Sequence, residues 1–224
     1  MKATLRLALS FFAAYGLNAV LHECAHALTA HFLGLPARLF PLHVDIGYPS
    51  GDSEARVLCA IAGPLFSLGL GWFCGALYRR LQSRPEALLL LYSSILGTSF
   101  FLGNLFSASL VAGDLSAGAE QLHLAGSVRL GMTLTGGLLL AAFLYRMGPE
   151  LLPWTRPETN PLEAAIQVIV FPVVLGTVLV IVAFRPMSRA SIQDWAASSL
   201  FWIFAAAGVV VARKRGLKGR GCAA

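Results

Sequence analysis

Hydrophobic positions in this chain fall in long unbroken runs, at about 5–33, 57–78, 87–112, 127–147, 164–184 and 195–212. A helix needs ~20 apolar residues to cross the hydrocarbon core of a bilayer, so the pattern predicts six transmembrane helices. The breaks between runs carry turn chemistry: Gly34-Leu35-Pro36, the polar stretch from Tyr48 to Ser53, Arg84-Pro85, Gly148-Pro149 with Pro153 and Pro157, and Arg185-Pro186. Between the first two runs, Ala37 to Tyr48 is too irregular for a helix and partly alternates in polarity. Short strands or a hairpin are expected there. Non-helical backbone at membrane depth is tolerated only where it is buried in protein or lines a wet cavity, so this segment is expected to dip toward a site. The fold class that follows is an all-α polytopic membrane protein with about six transmembrane helices and a short β or irregular segment between the first two.

Composition agrees with that reading. Of the 224 residues, 57% are hydrophobic and 12% charged, and the mean hydropathy is +0.71. Six spans of ~20 residues leave only short connections, so no soluble domain is expected. Cys24, Cys59, Cys74 and Cys222 form no paired-ligand spacing, and small buried thiols are ordinary in apolar runs. The formal charge of +6 does not point to nucleic acid, because the basic residues flank apolar runs.

Those residues instead report topology. With six helices, one side receives Lys2, Arg6, Arg79, Arg80, Arg84, Arg146, Arg156, Arg213, Lys214, Arg215, Lys218 and Arg220, and the other Arg38, Arg56, Arg129, Arg185 and Arg189. Cytoplasmic loops are enriched in positive charge, so the 12-to-5 split places both termini in the cytoplasm. Lys2, Arg6 and the apolar run after them also have the outline of a secretory signal, with Ala25-His26-Ala27 as its cleavage site. The run continues to Leu33 and cleavage would destroy the most unusual motif in the chain. The segment is read as retained.

That motif is His22-Glu23-Cys24-Ala25-His26, an HExxH match inside an apolar helix. Positions i and i+4 share a helix face, so the two imidazoles converge on one metal ion, and Glu23 reaches water at the metal. Ionisable groups at mid-bilayer cost ~2.5–3.5 kcal/mol each on insertion scales, and a bound zinc ion compensates them. The competing reading is a polar helix end among lipid headgroups, but apolar and small residues continue beyond the motif to the Gly34 break. Catalytic zinc needs a third protein ligand and an open position. The third run ends in Gly103-Asn104-Leu105-Phe106-Ser107 and then Gly113-Asp114. In the six-helix arrangement the first and third helices run in the same direction, which brings His22, His26 and Asp114 to the same side. Asp114 is the expected ligand, with a capping role for a short following helix as the alternative and Glu120 and His123 in reserve. Asn18, one turn before His22, is placed either to hydrogen-bond a ligand or substrate carbonyl or to join helices. His31 and His43 are read as interfacial histidines.

Taken together, these residues resemble the site-2 protease family of intramembrane zinc metalloproteases. That family joins a membrane-embedded HExxH to a later Asn-x-x-Pro…Asp-Gly stretch that supplies an aspartate ligand, commonly with Ala-Gly-Pro-x-x-Asn on the helix between. Here His22–His26 matches fully, Ala62-Gly63-Pro64-Leu65-Phe66-Ser67 has serine for asparagine, and Asn104…Asp114 matches loosely, over residues 15–118. Ser107 stands where proline is usual, and Asp114 is preceded rather than followed by glycine. The resemblance implies a zinc-dependent endopeptidase acting on a transmembrane protein or peptide within the bilayer, with Glu23 as general base, His22, His26 and Asp114 on zinc, and Asn104, Asn18 and Ser67 toward substrate. It divides the chain into a catalytic core at 1–118 and three further helices with a basic tail at 119–224. The expected location is a bacterial or archaeal cytoplasmic membrane. It also implies a site nearer the cytoplasmic side, whereas the charges put the site nearer the outer side; the charges are followed for the termini. In the second half, Trp154, Trp195 and Trp202 are expected near the interfaces. A non-catalytic scaffold or chaperone, or a transporter, are the rival classes. A transporter more commonly has repeated halves and charges spread over several helices, and neither is evident.

Overall fold

The computed structural model describes residues 2–40, 42–49, 52–84, 86–111, 113–155, 159–184 and 201–216. Helix α1 spans Lys2–Phe32, and a hairpin follows, β1 Ala37–Phe40 and β2 His43–Ile46. Then come α2 Ser53–Arg80, α3 Ala87–Ser107, the short α4 Asp114–Gln121 and α5 Gly126–Met147. A tight turn of helix at Gly148–Trp154 leads to α6 Pro161–Ala165, a wide turn at Ile166–Val170, α7 Phe171–Phe184 and α8 Trp202–Lys214. Five helical segments among the described residues are long and apolar enough to cross a membrane: Leu5–Phe32, Ser53–Arg80, Ala87–Ser107, Gly126–Trp154 and Pro161–Leu179. The protein is an all-α polytopic membrane protein. The sixth expected span, 195–212, lies partly outside the described residues; α8 covers its second half.

Local chemistry sets the element ends. α1 stops at Gly34, whose φ of 72° is open to glycine; the Leu35 N–H reaches back to the Ala30 carbonyl at 2.9 Å, and the Gly34 N–H to that of His31 at 3.0 Å. The third helix ends at Ser107, five residues short of the expected 112. The Ser107 hydroxyl bonds to the Asn104 carbonyl at 3.0 Å, and Thr133 on α5 holds the Ser109 N–H at 3.1 Å, so the chain leaves the helix axis there. In the run at 161–184, Pro172 has no N–H for the Val168 carbonyl four residues back, and the buried Tyr92 hydroxyl donates to it at 3.1 Å instead.

One apolar core joins both halves of the chain. Leu7 and Phe11 of α1 meet Leu88, Leu91, Tyr92 and Ile95 of α3, Leu140 and Leu144 of α5, Val168, Ile169 and Val173, and Val209 of α8. Trp202 belongs to this core, 8% exposed and edge-on to Phe11 at 5.6 Å. Its helix starts against α1, where an aromatic edge-to-face pair forms. Trp154 is partly buried against the same core, with the Arg6 guanidinium over its ring; Trp195 is outside the described residues. The outer surface carries large exposed apolar side chains such as Leu138, Trp72 and Ile203, as a lipid-facing surface must.

Candidate metal centre

The backbone brings three candidate ligands together from two distant segments. On α1, His22 and His26 sit four residues apart, buried at 7% and 4% exposure. Asp114, the first residue of α4, points its carboxylate at them. Its Oδ2 is 2.9 Å from His22 Nε2 and 3.5 Å from His26 Nε2, and the two Nε2 atoms are 3.1 Å apart. Among the described residues this trio is the only His, Cys, Asp or Glu group gathered closely enough to hold a metal ion. Four ligands around zinc at ~2.0–2.1 Å stand roughly 3.3–3.4 Å from one another, so the three separations fit a tetrahedral ion with one position left open. Two imidazole nitrogens and a carboxylate oxygen also suit zinc chemically.

The outer nitrogens are fixed by α2. His26 Nδ1 lies 2.6 Å from the Cys59 carbonyl, to which it donates; His22 Nδ1 lies 2.9 Å from Ser67 Oγ. With Nδ1 of His26 engaged as a donor, its Nε2 lone pair faces the ligand cluster. Cys59, Gly63 and Ser67 recur every fourth residue, forming one stripe of α2 against α1. Gly63 is required by space, since a Cβ there would meet His26 Nε2 and lie 2.7 Å from His22 Nε2. The next residue, Pro64, lacks an N–H, loosening the helix ladder beside the Cys59 carbonyl that His26 uses. Gly63-Pro64 therefore builds the back wall of the site.

Asp114 faces the histidines rather than capping α4, whose N-cap is Gly113. Burial by itself raises a carboxyl's pKa, but the adjoining His22 and His26 side chains outweigh it, holding Asp114 well below the usual carboxylate range. That direction favours the ionised carboxylate a metal ion would require. Glu120 is exposed and paired with Arg129 at 3.3 Å, and His123 follows α4 with a φ of 50°. Neither joins the cluster.

In front of the trio lies a cavity of about 510 Å³ lined by Glu23, His26 and Asp114, by the hairpin residues His43 to Ile46, and by Tyr48, Arg56 and Gln121 among others. Glu23 thus opens onto the same space as the ligands. His43 is a wall of the cavity, its ring stacked on Phe40 at 4.4 Å. Burial, with the neighbouring Cys59 thiol, pushes the Tyr48 phenol up to about 12, so it remains a hydrogen-bond donor at neutral pH. The Arg56 guanidinium lies 4.9 Å from its ring centre. Sequence reading passed over Tyr48 and Arg56 as site residues, with only the partial alternation of 37–48 pointing toward the first, and named Gly63 only within the Ala62-Gly63-Pro64 match.

The three polar residues expected toward substrate sit elsewhere. Ser67 is fully buried behind His22. Asn18 is fully buried on α1, its Nδ2 donating to the Ala14 carbonyl at 2.8 Å and its Oδ1 packed where a Cβ at Gly97 would come within 2.9 Å. Asn104 is half-buried on α3, donating to the Phe100 carbonyl at 3.1 Å. None of the three borders the cavity. Comparison with protein-family models, with curated proteins and with solved structures finds no match.

Proposed function

We propose that this protein is an intramembrane zinc metalloprotease that hydrolyses a peptide bond in or next to a transmembrane segment of a membrane-protein substrate. The observation that carries the reading is the convergence of His22, His26 and Asp114 to within 3.5 Å inside an apolar helical bundle, with Glu23 sharing their cavity. Zinc, when bound, supplies a Lewis acid that polarises a substrate carbonyl and brings the pKa of water down to ~7. His22, His26 and Asp114 hold the ion, while Ser67 and the Cys59 carbonyl keep the imidazoles turned toward it. The Glu23 carboxylate takes the proton from the attacking water and returns it to the leaving amine.

A helical substrate hides its peptide bonds in i to i−4 hydrogen bonds and must unwind before cleavage. The two-stranded sheet supports this step, because β1 is the one strand paired with β2 among the described residues and β2 also lines the cavity. An unwound segment adds to the other edge of β2 as a further strand. Glycine, proline or asparagine in the substrate lowers the cost of unwinding.

Metal analysis of the purified full chain, alongside cleavage of candidate membrane proteins in reconstituted vesicles, tests the reading. One zinc per chain and cleavage stopped by a chelator are expected. Protein free of metal, or loaded with iron, or cleavage that ignores the chelator, would overturn it.

A further inference from the structure

We propose that Arg129, on α5, is the positioning residue that holds Asp114 at the metal centre, and that it does so by clasping the chain on both sides of that ligand. The inference rests on the metal-centre reading above. The two histidines are fixed by one long helix, but Asp114 stands at the first residue of the eight-residue α4, where a helix end is held less firmly than a helix interior. Arg129 supplies the missing hold. Its Nε donates to the Ala108 carbonyl at 3.1 Å, ahead of Asp114. Its Nη2 donates to Ser116 Oγ at 3.1 Å, behind Asp114, and to Glu120 Oε1 at 3.3 Å. Ala108 and Ser116 are both buried, so the first two contacts satisfy groups withdrawn from water. Thr133, one turn further along the same face of α5, adds bonds to the Ser109 N–H at 3.1 Å and hydroxyl at 2.7 Å.

Guanidinium suits this task because its planar fork serves several acceptors at once, whereas lysine offers a single compact centre. The Glu120 contact is solvent-exposed and weak as an ion pair. Its consequence is placement: Glu120, the acid nearest Asp114 in sequence, is turned to Arg129 and kept out of the histidine cluster. Arg129 therefore selects which carboxylate becomes the third ligand.

The test uses the full-length protein, with Arg129→Gln and Arg129→Lys, zinc affinity measured by competition with a chelator, and the visible spectrum of the cobalt(II)-substituted site. Loss of a group bonded directly to a metal ligand typically costs ~10–100-fold in affinity, and Arg129, which bonds the residues flanking Asp114, is expected to act on the same scale through its position. A fall of ~10–100-fold is expected for Arg129→Gln, with a cobalt band altered in position and intensity, and a smaller fall for Arg129→Lys. Glu120→Gln in an otherwise unchanged chain should leave both readouts at wild-type values. An Arg129 that only braced the fold would lower thermal stability while the folded protein kept wild-type affinity and spectrum, and that result overturns the proposal. Should Arg129→Gln fail to fold, wild-type affinity and spectrum in Arg129→Lys overturn it equally. Metal-free wild-type protein would overturn the metal centre itself, and this inference with it.

Discussion

Glu23, His22 and His26 sit within five consecutive residues, yet the structure gives them different surroundings. The histidines are buried, each with Nδ1 tied to α2, while Glu23 faces the cavity. Glu23→Gln keeps the shape and hydrogen-bonding reach of the side chain and removes its basicity. Zinc content and folding should be retained while the cleavage rate falls ~10² or more, the usual scale of general-base catalysis; undiminished cleavage would remove the mechanism and favour a scaffold. Gly63→Ala makes the opposite separation. Its methyl group would stand 2.7 Å from His22 Nε2 and closer still to His26, in the space the ion needs. Zinc should be lost from a chain that still inserts, measured as metal content against helical signal.

Elements meet closely where the site needs support. A Cβ at Gly97 of α3 would lie 2.6 Å from the Ser67 carbonyl and 2.9 Å from Asn18 Oδ1, so Gly97→Ala must push α2 from α3. Overpacking of this kind costs ~1–3 kcal/mol. Melting temperature should fall, and zinc affinity with it, because Ser67 moves relative to His22; an unchanged zinc titration would uncouple that helix contact from the site. The hairpin offers a separate test. The register pairs Phe40 with His43 and Leu39 with Val44, and the Gly47 N–H bonds to the Pro36 carbonyl. Hydrogen-bonded and non-bonded pairs alternate along an antiparallel ladder, so the Val44 N–H points to the edge away from β1. Val44→Pro removes that donor and leaves the β1–β2 ladder intact. If substrate adds as a strand, KM should rise about tenfold, the worth of one hydrogen bond, with zinc content unchanged.

At the scale of the whole molecule, a shared core ties α1 and α3 to α5, α7 and α8, so the second half of the chain is packed into the body that holds the site. Direction across the bilayer is a matter of charge. Arg213, Lys214, Arg215, Lys218 and Arg220 stand together after the last apolar run, and such clusters resist translocation. Both termini are expected in the cytoplasm. In a cysteine-free background, Lys218→Cys should be protected from a membrane-impermeant thiol reagent on intact cells, and Ser53→Cys should be labelled. The reverse pattern would place the metal site nearer the cytoplasmic side.

Much of the fold was legible because its cause is local. Runs of ~20 apolar residues cannot remain in water, and among the described residues they form helices that satisfy their own backbone; the irregular stretch at 37–48, with its partial alternation, formed a hairpin instead. HExxH was readable too, since helical periodicity alone puts His22 and His26 on one face. Asp114 was readable as the third member of the cluster, because the first and third helices run in the same direction. The Asn104…Asp114 stretch set it ahead of Glu120, but its support by Arg129 and Thr133, which bind its flanks from another helix, has no signal in the sequence. Ser67, Gly63 and the Cys59 carbonyl gained their positions only when α2 packed against α1, and His43, Tyr48 and Arg56 only when the hairpin folded over the cavity. Contacts between residues 45 or 92 positions apart have no periodicity along the chain, so packing alone decides them.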